Sequence, residues 1–346
     1  MSNYCSYLLF LSTFFFTSNF VKAQLLWEIS GNNLTQKSYL FGTVHVGDQR
    51  VIEYASNVYP YMDNSLIVAG ELDLNIMNSI MALSYVMSPR DSTLSKLLTK
   101  EEYQEIKPYL VEKISDLAPF LDMVRPVFIM ALLQEKEQEE QAKSVDKIQK
   151  ENGKKAEKFP ALDMYLQNRA RENNQKVIGL ETVKEQMNAL NSTPIDKQAK
   201  ELYNYIIEKN KIQKQQNNMQ DSVKINTKTV KENDTTLLKI TESDNPMETL
   251  ISLYLTENIE LLHDQISTEF EKETYQSLIV RRNIQMVQRM EGQMKTESTT
   301  ENTKNTIFAA VGAGHLGGRE GMVNLLKQAG YTLKPIFFNT KEEIKK

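Results

Sequence analysis

Tyr39-Leu-Phe-Gly-Thr-Val-His-Val-Gly47 and Val311-Gly-Ala-Gly-His-Leu-Gly317 are the two stretches on which the reading of this chain turns. The chain has 3 histidines, and two of them stand in the pattern Gly-x-x-His, at Gly42-Thr-Val-His45 and Gly312-Ala-Gly-His315. Each motif follows an apolar run, carries a second glycine two residues beyond the histidine (Gly47, Gly317), and has an arginine soon after (Arg50, Arg319). A helical pattern and another apolar run follow in both cases. The chain therefore contains an internal strand-turn-helix-strand repeat, one copy near each end. Glycine at the end of a strand permits a tight turn and a close backbone approach. The histidine then leaves from the carboxyl end of its strand, where open α/β sheets hold ligands. Two such units side by side are expected to bring the imidazoles of His45 and His315 together.

Working outward, residues 25–29, 38–44, 66–72, 176–181, 306–311 and 331–338 read as strands, with a Gly31-Asn-Asn33 turn between the first two. Residues 51–63, 160–173, 183–210, 247–290 and 319–329 read as helices, and 75–135 as mostly helical, broken near Pro89, Pro108 and Pro119. The predicted fold is α/β: a central mixed sheet built from the two strand-GxxH-helix-strand repeats, with a large helical insertion. Residues 1–23 are set apart as a leader, and 24–346 as a single domain. Its core is expected at about 25–74, 174–182 and 306–338, and its helical insert at about 75–173 and 183–290. Residues 134–158 read as a solvated helix or loose linker, and 291–305 as another polar linker. Residues 211–246 hold too few large apolar side chains to offset the entropy of ordering them, and are expected to be a mobile insertion.

Composition narrows the function. Against 41 Lys and Arg stand 45 Asp and Glu, a net charge of -4, which is no nucleic-acid signature, since that would need a basic face. The one cysteine, Cys5, precedes the apolar run Leu8–Phe16, and Val21-Lys22-Ala23 offers a cleavage site after Ala23. Export to the periplasm or outside the cell is expected, with Gln24 as the new amino terminus. Membrane association is expected only through an uncleaved leader, since no second segment approaches spanning length. Cysteine-based catalysis and cysteine-ligated metals are then excluded from the exported chain.

Two imidazoles need a third partner to hold a divalent ion, and a carboxylate is the usual one. Glu71 ends the strand of the first repeat and is the best candidate. Glu181 ends another strand in the same fashion, and Asp163 and Asp73 are weaker candidates. Each of these acids has an ordinary alternative use as a helix cap or surface pair. His263, in a long amphipathic helix, reads as a surface or core-edge histidine rather than a ligand. Arg281-Arg282-Asn283 interrupts a mostly apolar helix face. Arg282 or Asn283 is placed to hold a carbonyl or carboxylate oxygen, although an Arg-Arg pair on a helix more often faces solvent.

Taken together, Tyr39-Leu-Phe-Gly-Thr-Val-His, the strand ending Gly70-Glu-Leu-Asp73, Ala161-Leu-Asp-Met-Tyr-Leu166, Val177-Ile-Gly-Leu-Glu-Thr182, Arg281-Arg-Asn-Ile-Gln-Met286 and Val311-Gly-Ala-Gly-His-Leu-Gly317 resemble the TraB/GumN family, to which the Tiki proteases are similar. The resemblance covers nearly all of the chain after the leader. It implies a metal-dependent, hydrolase-like site; Tiki proteins are manganese- or cobalt-dependent proteases acting on secreted Wnt ligands. By the same resemblance His45, Glu71 and His315 match the family's central positions, Arg282 and Asn283 its Arg-Asn pair, and Asp163 and Glu181 further family positions. The chain departs from the pattern at Pro160-Ala161, where a glycine is common, and in the length of 211–246. The expected function is an exported metallohydrolase, peptidase-like, acting on a peptide or protein. A divalent ion (manganese, cobalt or zinc) would be held by His45, Glu71 and His315, with Glu71 or Glu181 as general base and Arg282 steadying an oxyanion. The alternative is a non-catalytic binding protein, cell-surface or polysaccharide-associated, that keeps the fold. An open pocket holding both histidines and an acid favours the first reading; a closed or salt-bridged one favours the second.

Overall fold

The computed structural model describes residues 24–151, 159–223, 246–296 and 305–338. The expected leader, and residues 152–158, 224–245 and 297–304 of the three polar stretches, lie outside the described residues. Six strands form one mixed sheet: β1 (Leu26–Gly31), β2 (Ser38–Thr43), β3 (Ile67–Gly70), β4 (Lys176–Gly179), β5 (Ile307–Gly312) and β6 (Tyr331–Ile336), in the order β4-β3-β5-β2-β1-β6. The β1–β2 hairpin turns through Gly31, Asn32 and Asn33, all at positive φ, the conformation that glycine and asparagine adopt most readily. β1 pairs antiparallel with β2 and β6. β5 pairs in parallel with both β2 and β3, and β3 in parallel with β4.

β4, β3, β5 and β2 therefore run the same way, and their carboxyl ends make one edge. The residues just beyond those ends are, in sheet order, Glu181, Glu71, His315 and His45. The two repeats interlock rather than sit as separate blocks: β5 of the second slots between β2 and β3 of the first. The register sets Thr43 opposite Gly312 and Gly70 opposite Ala310. β3 is buried along its whole length and β5 in all but its last residue, because helices cover both faces. Such strands read as unbroken apolar runs rather than alternating ones.

Helices α1 (Gln49–Ala55) and α2 (Tyr59–Met62) carry the chain from β2 to β3. After β3 come α3 (Ile76–Val86), α4 (Leu94–Leu97), α5 (Lys100–Lys113), α6 (Pro126–Glu151) and α7 (Leu162–Glu172), the last packing on β3 and β4. β4 leads to α8 (Val183–Leu190) and α9 (Ile195–Val223). The first part of the expected mobile insertion, 211–223, is thus helical, a continuation of α9. Then follow α10 (Pro246–Leu255), α11 (Ile259–Glu269), α12 (Lys272–Tyr275), a π-turn over Gln276–Val280, and α13 (Arg281–Lys295), which packs on β5. α14 (Met322–Gln328) joins β5 to β6. The helical insert has its own apolar core, in which Leu94, Ile106, Ile129 and Leu202 are fully buried.

Candidate active site at the carboxyl edge of the sheet

Glu71, His315, Asn283, Arg282 and Glu181 form one connected network. His315 lies in the turn after β5, buried at 5% exposure. Its Nδ1 is 2.6 Å from Asn283 Oδ1. The Asn283 amide is oriented from its other end, where Nδ2 donates to the Glu320 carbonyl at 2.8 Å. The oxygen must therefore face the ring, Nδ1 carries the proton, and Nε2 is left with a bare lone pair. That Nε2 lies 3.5 Å from Glu71 Oε1. Burial holds the imidazole down to about 4, so it is neutral at physiological pH.

Glu71 reaches this position because its neighbour is glycine. Its Oε1 accepts the Gly312 N–H at 2.8 Å, and a β-carbon on Gly312 would stand 3.1 Å from the same oxygen. Its Oε2 accepts from Arg282 Nη2 at 2.5 Å and from Gln186 Nε2 at 3.2 Å. Burial opposes ionisation of Glu71, but the charges of His315 and Arg282 and the Gly312 N–H outweigh it and bring the carboxyl to about 2. The proton that His315 takes up below about 4 matters only in that acid range. At neutral pH the pair is a carboxylate facing an uncharged ring.

Arg282 is buried, unlike its exposed neighbour Arg281. Its Nε lies 3.1 and 3.0 Å from the two Glu181 oxygens, Nη2 donates to Glu181 Oε1 at 2.8 Å, and Nη1 donates to the Leu278 carbonyl at 3.0 Å. Leu278 lies in the π-turn just before α13, a local irregularity of the sort often found at functional sites. The Glu181 side chain has no exposed surface. Burial raises its pKa despite the guanidinium, while Glu71 and Glu185 add negative charge nearby.

His45 stands apart from this network. Its side chain is 82% exposed, and its Nδ1 is 3.3 Å from Asp163 Oδ2. Asp163 enters at the first turn of α7, and its other oxygen accepts the Thr43 hydroxyl. The hydrogen bond to Asp163 raises the His45 pKa, with smaller help from the Asp163, Glu71 and Glu135 charges. The first turn is anchored by Tyr254, whose buried hydroxyl donates to the Gly42 carbonyl at 2.9 Å. Both motif histidines thus present Nδ1 to an oxygen from a helix and leave Nε2 free. Among the described residues no group of three His, Asp or Glu side chains is arranged to hold a metal ion. Glu71 and His315 meet; His45 does not join them. Asp73 is engaged elsewhere, with Arg171 at 2.5 Å.

His263 is not the surface or edge residue its helix suggests. It is buried at 8% exposure, and a β-carbon on Gly318 would come 2.2 Å from its Nε2. From the same helix, Glu260 accepts the Gly318 N–H at 2.9 Å, and Ile266 closes over Gly314. α11 therefore clamps the turn that carries His315, which explains glycine at positions where this helix lies against the backbone. Periodicity assigns His263 to a helix face but cannot say what lies opposite. Sequence reasoning also missed Gln186, which has no signature beyond lying in the helix after Glu181.

The model of the TraB/PrgY/gumN family matches residues 25–335. Among curated proteins, the chain is 24% identical over 323 residues to metalloprotease TIKI2 of Xenopus tropicalis, covering 86% of this chain and 57% of that protein. It is 24% identical over 331 residues to metalloprotease TIKI1 of the same frog, covering 88% and 60%, and 23% identical over 341 residues to TIKI2 of Danio rerio, covering 89% and 60%. The chain thus spans less than two thirds of the length of these relatives. No solved structure matches it.

Proposed function

The chain belongs to the TraB/PrgY/gumN family, and from that premise we propose that it is an exported, metal-dependent peptidase centred on Glu71 and His315. The observation that carries this reading is the meeting of His315 Nε2 and Glu71 Oε1 at 3.5 Å, with no proton between them at neutral pH. Two lone-pair donors turned toward each other in a partly dry site suit a shared cation. Ligands bonded to one ion at about 2.0–2.2 Å are expected roughly 3–4 Å apart. The orientation of His315 by Asn283 is the outer-shell support that ligating histidines ordinarily have. His45, oriented in the same manner by Asp163, is the candidate third holder.

A divalent ion supplies Lewis acidity, activating water for attack near neutral pH and polarising a carbonyl. The side chains would divide the remaining work. Glu71, ionised above about 2, would serve the ion as a ligand, since a carboxylate held so far below neutral is a weak proton acceptor. Arg282 gives the pocket a fixed positive charge that favours a developing oxyanion. Glu181, with both oxygens facing the guanidinium and no exposed surface, holds Arg282 in place rather than acting on water.

Two observations favour the second reading, a non-catalytic binding protein at the cell surface or on polysaccharide: His45 stands outside the network, and the network is salt-bridged. Glu71 Oε2 is already paired with Arg282 at 2.5 Å, and a carboxylate satisfied by arginine has less need of a metal. Elemental analysis and calorimetry of the exported protein with manganese, cobalt and zinc, followed by cleavage of a peptide library with and without the bound metal, separate the two. Metal uptake that is lost in His315→Ala, together with metal-dependent cleavage, is the expected result. A protein that takes up no metal and cuts no peptide overturns the peptidase reading.

A further inference from the structure

α3 is amphipathic the wrong way round. Ile76, Ile80, Leu83 and Met87 recur at i, i+4, i+7 and i+11, the spacing that normally lines a core. Here that stripe faces solvent: Ile76 is 80% exposed and Leu83 63%, with Met77 and Met81 exposed beside it. No residue of α3 is buried. The apolar surface continues past the helix. Met87 bridges Val124, Ser88 N–H donates to the Met123 carbonyl at 2.7 Å, and Met123 and Phe120 are themselves exposed. No charged residue stands between Asp73 and Arg90, in a chain of which 25% is charged. A contiguous apolar surface of this kind marks a binding face, and its methionines suit side chains of varied shape.

Its position says what it binds. α3 begins five residues after Glu71, and its cap Asn75 is tied to the strand-end loop through the Asn75 N–H to the Asp73 carbonyl at 2.9 Å and the Asn75 amide to the Asp73 side chain at 2.7 Å. It packs against α8, whose Gln186 touches Glu71. The apolar face therefore starts beside the edge that carries Glu71 and His315, and the 11 residues of α3 make it about 16 Å long. We propose that it is a docking platform for an uncharged, apolar segment of a polypeptide substrate, held beside the bond presented to that edge. The destination of the segment rests on the peptidase reading; its binding does not. A lipid surface is the poorer occupant, because helices that lie on membranes carry Lys and Arg on the opposite face, and α3 has neither.

The test measures binding of a short fluorescein-labelled peptide of leucine, valine and glycine, with a terminal lysine for solubility, to the full exported protein. The comparison is with Ile80→Asp/Leu83→Asp, whose side chains are exposed, and with Leu83→Asp alone should the double variant fold poorly by circular dichroism. Manganese uptake is measured on the same samples. The expected result is at least a ~10-fold loss of peptide affinity with manganese uptake unchanged. Peptide binding without cleavage of any library member supports the platform while sinking the peptidase reading. Equal peptide affinity in wild type and variant overturns the platform. So does a change from dimer to monomer with no change in peptide binding, which makes the face a contact between copies of this chain. So does loss of binding to phosphatidylcholine vesicles by a protein that never bound the peptide.

Discussion

His315 should make the folded protein sensitive to mild acid, by an amount that follows from its environment. The ring is 7% exposed and its pKa in the folded chain is about 4, against an ordinary value of 6.5. Below 6.5 the unfolded chain takes up a proton that the folded chain refuses until about 4. Stability therefore falls as pH drops through that window, and the loss is complete below it. The full shift corresponds to about 3 kcal/mol, and roughly 2 kcal/mol of it should be lost between pH 7 and pH 5. Other groups act with different sign or range. Glu71, depressed to about 2, contributes stability that is lost only as pH falls below about 4.5. The raised pKa values of His45 and Glu181 oppose the trend, since each binds its proton more readily when folded. Comparing wild type with His315→Gln cancels most of these contributions. Urea unfolding at pH 7 and pH 5, in chelator, should show wild type losing about 2 kcal/mol more than the variant. Parallel losses in the two proteins would mean that the ring is not held neutral in a buried site, and the bare Nε2 facing Glu71 would go with it.

Asn283→Leu should leave the His315 N–H and the Glu320 carbonyl without partners, lowering stability by about 2–5 kcal/mol in urea. It should also weaken manganese binding roughly 10–100-fold by calorimetry, whereas Asn283→Asp, which keeps an acceptor for the ring, should retain more of it. His263→Ala should cost about 2 kcal/mol, because it opens a cavity against Gly317 and Gly318; an unchanged urea midpoint would show that α11 does not clamp the turn. Mass spectrometry of the native protein should find Gln24, cyclised or not, at the amino terminus, and an intact Met1 on membrane-bound material would refute leader cleavage.

The sequence alone determined the elements and the motifs, because both are local. Four of the six strands fall within the runs read as strands, while β1 and β5 overrun theirs by two residues and by one. The two Gly-x-x-His turns announce themselves by spacing alone, although what crowds their glycines lies far along the chain: Ala313 against Gly42 and Glu71 against Gly312. What needed the tertiary structure was everything that depends on which strand lies beside which. Nothing in the chain says that β5 inserts between β2 and β3, yet that insertion is what sets His315 against Glu71. The Arg282 bridge to Glu71 and Glu181 spans more than a hundred residues, and an Arg-Arg pair on a helix carries no sign of which member is buried. The proton on His315 was decided by the far end of the Asn283 amide, a contact that no spacing encodes. The stripe on α3 misleads in the same way. Its period forecasts one apolar face but not whether that face meets a core or water, because periodicity fixes which side chains point together and only packing fixes what they point at.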